Sequence, residues 1–177
     1  MPENASIKVN RAPVLTLWAA VVAERLGFDR DEALTLGRAV AGLTAYSKGV
    51  RLGIYEPTAE DARERRQQLA EGKELHVDLL GRAVPAVATP DGLRATSKGR
   101  PIAPASVERY LAGKLGDRLD EVRLAMTRLA ASLPPAQLAR RAFGLYERFR
   151  PEVPADEAGW GKAGVLELER ITGLIGT

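Results

Sequence analysis

The clearest pattern in the chain is a run of apolar residues, Val14, Leu15, Leu17, Trp18, Val21, Val22 and Leu26, that leaves almost no polar face. The spacing predicts a helix from near Ala12, with Pro13 suited to the first helical position, and a helix apolar all round belongs at the centre of a fold. Asp29 precedes Glu32 by three residues, the order of a capping box, which predicts a second helix running to a glycine stop at Gly49. Ala19 and Ala23 in the first helix, and Gly37, Ala41 and Ala45 in the second, recur at helical spacing. Small residues in those places predict a helical hairpin whose axes approach closely.

Further along, Thr58 and Gly72 bracket a third helix over 59–71 that is poor in apolar residues and suited to the surface. From Leu75 to Ile102 the pattern changes to short apolar stretches, and Thr89-Pro90-Asp91-Gly92 has the residue order of a type I turn, so a β-hairpin is expected there. Pro85 lacks an N–H for a ladder, which predicts an edge strand or an interrupted one. After Ser106, read as a cap, an aliphatic stripe continues through Val107, Leu111, Leu115, Leu119, Val122, Met126, Leu129 and Leu133. Gly113 and Gly116 weaken its middle, which leaves one bent helix or two, the second capped by Asp117. Pro134-Pro135 ends the stripe and opens another helix to about Arg150. An irregular loop over 151–164 and a short final helix carrying Val165, Leu166, Leu168, Ile171 and Leu174 complete the reading.

These elements predict a mainly α protein: a compact multi-helix domain with a small antiparallel β-hairpin, one domain over 1–177. Its sub-regions are 12–72 (a helical hairpin plus a surface helix), 75–102 (the β-hairpin) and 106–177 (the C-terminal helices). Its 177 residues suffice to bury a core without disulfides or metals. The absence of cysteine removes disulfide, thiolate-metal and cysteine-nucleophile chemistry. No signal-peptide pattern and no apolar run of bilayer length is present, so a cytoplasmic protein with no membrane partner is expected.

Charge changes the picture only through its distribution. Residues 1–90 balance at 12 Lys+Arg against 12 Asp+Glu, residues 92–150 carry 12 against 5, and residues 151–177 carry 2 against 5. The excess of Arg over Lys, 20 to 6, fits a nucleic-acid binder that sets guanidiniums on phosphates, but GC-rich codon usage produces it as well and is the favoured cause.

No catalytic team emerges. His76 with Asp78 two residues on could pair a base with a carboxylate, but no serine or cysteine nucleophile accompanies them, and a surface histidine is the expectation. Gly159-Trp160-Gly161-Lys162 lacks both the spacer and the Ser or Thr of a phosphate loop. No cofactor or metal is implied, and the reading leans away from an enzyme.

Ala23, Gly27, Ala33 and Leu36 fall at the offsets that join two helices across a glycine turn. Over about twenty residues this resembles the helix-turn-helix class, which implies a DNA-binding or regulatory protein. Asp29, Asp31 and Glu32 place carboxylates at the start of the supposed recognition helix, against that use. Gly99-Arg100-Pro101, with Arg94 and Lys98 nearby, resembles the minor-groove core of AT-hook peptides and makes the hairpin a candidate basic wing. The expected function is therefore non-enzymatic binding of double-stranded DNA through Arg38, Lys48, Arg51, Arg94, Lys98 and Arg100. The alternative is an oligomeric protein-interaction or scaffold domain without catalysis. A homo-oligomer is expected because the apolar first helix and the long stripe exceed what one thin helical layer covers.

Overall fold

A computed structural model of the chain describes residues 6–51, 75–97, 99–152 and 163–175. Strand β1 (Ser6–Asn10) leads into α1 (Arg11–Arg25) and α2 (Arg30–Arg51). Strands β2 (Leu75–Leu79), β3 (Arg82–Thr89), β4 (Gly92–Ser97) and β5 (Arg100–Pro101) follow. Helices α3 (Pro104–Leu115), α4 (Leu119–Ala131) and α5 (Pro135–Phe149), then β6 (Ala163–Glu167) and α6 (Leu168–Thr172), complete the order. The third helix expected over 59–71 and the Gly159–Lys162 motif lie outside the described residues.

Helix α1 is the hub. Pro13 to Ala23 is buried without interruption, and α2, α3, α4, α5 and β1 all pack around it. Trp18 fixes the packing at its middle: its indole N–H donates to the carbonyl of Ala142 at 2.9 Å, and its ring meets Phe149 edge-on at 5.3 Å. These elements bury the apolar face of α1 within one copy. Large apolar side chains that remain exposed, Leu75, Leu124, Val165 and Ile175, sit on separate elements.

The capping box at α2 forms as expected. The Glu32 N–H donates to Asp29 Oδ1 at 2.8 Å and the Asp29 N–H donates to Glu32 Oε1 at 3.1 Å. The close helix pair also forms, with Gly37 of α2 seated on the backbone of Thr16 and Ala20 in α1.

A mainly α fold with one small hairpin is not what the chain adopts. Among the described residues it is 61% helix and 24% strand, with two sheets of two and four strands. The stretch expected to form one hairpin is an antiparallel meander in the order β2-β3-β4-β5. The additional β2–β3 turn is a two-residue loop, Leu80-Gly81, with φ of 49° and 76°, closed by the pair Leu79–Arg82. Positive φ at both loop residues matches the twist of a tight hairpin. The Pro90-Asp91 turn joins β3 and β4 as expected. Pro85 lies just past the last β3–β4 pair, Ala86–Ala95, in the part of β3 that pairs only with β2.

The second sheet joins β1 to β6, pairing Ile7 with Leu166 and Val9 with Gly164. Neither strand was expected, and Val165 and Leu166, assigned from the sequence to a final helix, lie on β6, with α6 starting only at Leu168. The long stripe is two helices: α3 stops at Leu115, Gly116 to Arg118 form a 3-10 turn, and α4 follows with Arg118, not Asp117, at its cap position.

Candidate functional site

Of the six cations of the DNA reading, the structure describes the side chains of Arg38, Arg94 and Arg100. Arg38 of α2 lies over the ring of Tyr110 on α3, 4.7 Å from its centroid, a cation–π contact inside the α2–α3 contact. Burial of that half-covered phenol pushes its pKa up, and the nearby guanidinium partly opposes the shift. Arg94 is only 8% exposed, its guanidinium donating to the carbonyls of Leu93 at 2.9 Å and Asp91 at 3.3 Å. Arg100 is exposed. The side chains of Lys48 and Arg51, and the whole of Lys98, lie outside the described residues. Arg100 and Pro101 are paired to Ser97 and Thr96 as β5, so they belong to a hairpin and not to a free extended arm.

The glycine turn of the helix-turn-helix resemblance is present, with Gly27 at φ 114°. The helices it joins still touch backbone to backbone at Gly37, ten residues beyond the turn. Another face of α2 is covered by β4. The Leu93 N–H donates to Glu32 Oε2 at 2.9 Å and the Ala95 N–H donates to Thr35 Oγ1 at 3.0 Å. Residues three apart on a helix lie about 5–6 Å apart, and alternate residues of a strand about 6.5 Å apart, so one helix face serves two outward N–H groups of one strand edge. The first two turns of α2 are thus held between α1 and β4, and the Glu32 carboxylate serves the sheet.

The same packing creates an open cleft of about 660 Å³, lined by Arg30, Asp31 and Leu34 of α2, Asp91 and Arg94 at the β3–β4 turn, and Pro104, Ala105 and Glu108 of α3. Glu108 is held by Arg123 of α4, whose Nη2 reaches both carboxylate oxygens at 3.0 and 3.1 Å, and more loosely by Arg30 at 3.4 Å. The lining carries guanidiniums and carboxylates, and so offers recognition by charge. His76 and Asp78 are both exposed on β2, away from this cleft. Among the described residues, no three metal-ligating side chains come together.

Sequence reasoning did not find this site. Asp31 was read as a helix start and Asp91 as a turn residue, and no local pattern brings residues 30–34, 91–94 and 104–108 together. The usable signal was Pro104, which marks a helix start two residues before the one read at Ser106. Set against family models, curated proteins and solved structures, the chain matches none.

Proposed function

We propose that the chain is a non-enzymatic, DNA-binding or regulatory protein of the cytoplasm, and that its duplex contact is the β4–β5 hairpin and the basic surface of α3 to α5, not α2. The observation that carries this reading is that the basic surplus of residues 92–150 is displayed. Arg100, Arg109, Lys114, Arg128, Arg140 and Arg148 are exposed and make no ion pair among the described residues. Displayed, unpaired cations are what phosphate contacts require. No helix among the described residues is long and apolar enough to cross a membrane, which is compatible with this reading.

The test is a gel-shift titration on random-sequence duplex at two salt concentrations. Affinity should fall steeply with salt, and Lys98→Ala with Arg100→Ala should lower the log–log slope by roughly one unit per lost contact. Salt-insensitive affinity, or no binding at low salt with the fold intact, defeats the reading. A second reading, an interaction domain without catalysis, is favoured by the mixed-charge cleft, and a failed gel shift would promote it.

A further inference from the structure

One cation in the cleft, Arg94, is more than nine-tenths buried, its guanidinium donates to two carbonyls of its own turn, and no carboxylate lies within ion-pair distance of it among the described residues. Glu32, which also approaches Gly92, is engaged by the N–H groups of Asp29 and Leu93. A guanidinium so placed favours an incoming anion, because a charged pair of hydrogen bonds would replace neutral ones. The start of α3 faces the same space through Pro104 and Ala105, with no side-chain cap and no acidic residue in its first turn, so its partial positive charge adds to that of Arg94.

Opposite charge lies on the same lining. Asp31 and Asp91 are exposed and neither is ion-paired among the described residues. Glu108 differs, because Arg123 already neutralises it. A dianion entering the cleft would meet Asp31 and Asp91, and a dication would meet Arg30 and Arg94. Only a ligand carrying both charges gains from both sets.

We propose that this cleft binds a small zwitterion bearing an ammonium and a carboxylate, a free amino acid or a short peptide. The carboxylate lies against Arg94 and the start of α3, and the ammonium against Asp31 and Asp91. The volume, about 660 Å³, falls in the range of small-molecule clefts.

Isothermal titration of the whole chain with triglycine, N-acetyl-triglycine, triglycine amide and glycine tests this. Triglycine or glycine should bind, and both blocked peptides should bind at least tenfold more weakly than triglycine, or not at all where glycine alone binds. Binding of glycine as tightly as triglycine identifies an amino acid as the ligand, and binding of triglycine alone identifies a peptide. Asp31→Asn with Asp91→Asn should erase the preference for a free ammonium, and Arg94→Met the preference for a free carboxylate, with circular dichroism confirming the fold. Should Arg94→Met fail to fold, the Asp31 and Asp91 double variant, which changes only exposed side chains, decides. No binding of either triglycine or glycine, blocked peptides binding as tightly as triglycine, or an unchanged ammonium preference in the double variant would each overturn the proposal.

Discussion

A Cβ placed on Gly37 would lie 2.4 Å from the carbonyl oxygen of Thr16 and 2.9 Å from the backbone nitrogen of Ala20, so α1 and α2 meet there backbone to backbone. Neither atom is the movable end of a side chain, and a methyl group at Gly37 must push the helices apart. Gly37→Ala should therefore destabilise the protein by about 1–3 kcal/mol in urea titration. Gly42→Ala, on the exposed side of the same helix with nothing within 4 Å, should instead stabilise by about 0.5–1 kcal/mol through helix propensity. The same sign for both would mean that the helices do not touch at Gly37.

The Thr35 hydroxyl accepts the buried Ala95 N–H at 3.0 Å and donates to the Glu32 carbonyl at 2.9 Å. Thr35→Val keeps the shape but leaves that N–H without an acceptor, at a cost of about 1–3 kcal/mol. Thr35→Ser should recover most of the loss. If Val and Ser variants unfold at the same urea concentration, β4 is not held by this bond.

Leu80 sits at φ 49°, a conformation that costs a non-glycine residue about 1–2 kcal/mol, yet it is only 4% exposed and packs in the core. Losing a buried leucine side chain costs about 2–5 kcal/mol, so burial outweighs strain. Leu80→Asn, which suits the turn, should still destabilise. A stabilised variant in thermal unfolding would show that the turn and not the core dominates at this position.

Burial pushes the pKa of Tyr146 well above its usual value of 10.0, with Arg11 and Arg150 opposing the shift only in part. Because the folded pKa is raised, the folded state keeps the proton when the unfolded chain has lost it. The stability from this group is complete below the unfolded pKa near 10 and is lost as pH rises beyond it toward the folded value. Each pH unit in that window should remove up to about 1.4 kcal/mol. Urea midpoints between pH 8 and 11.5 should fall more steeply for the parent than for Tyr146→Phe, and parallel curves would exclude the assignment.

The parts of this fold that could be read from the sequence were those with a local cause. The Asp29–Glu32 capping box, the close pairing at Gly37, the Pro90-Asp91 turn and the Pro134-Pro135 break each need only neighbouring residues, and each is present. The strands were missed where the local signal was short or atypical. Ile7 and Val9 alternate over only five residues, and Leu80-Gly81 is not the Asn-Gly that announces a tight hairpin. In Val165, Leu166 and Leu168 the apolar spacing fits a helix as well as a strand, and the pairing with β1 decides between them. The cleft could not be read because its residues come from three distant segments. Arg38 and Arg94 were read as outward cations, but an arginine's long stem serves inward and outward positions equally, and the ring of Tyr110 and the carbonyls of the 91–93 turn are what draw them in.

The pairing of β1 with β6 sets a clock on the ribosome. Ile7 and Val9 are made long before the strand they zip against, which ends at Glu167, so this face of the core stays open while the 157 residues from 11 to 167 are made. At typical elongation rates of about 5–20 residues per second, that wait lasts roughly 8–30 s. Throughout it the nascent chain offers an apolar strand without its cover, a natural landing place for a chaperone, and chains truncated before 163 should be recovered bound to one.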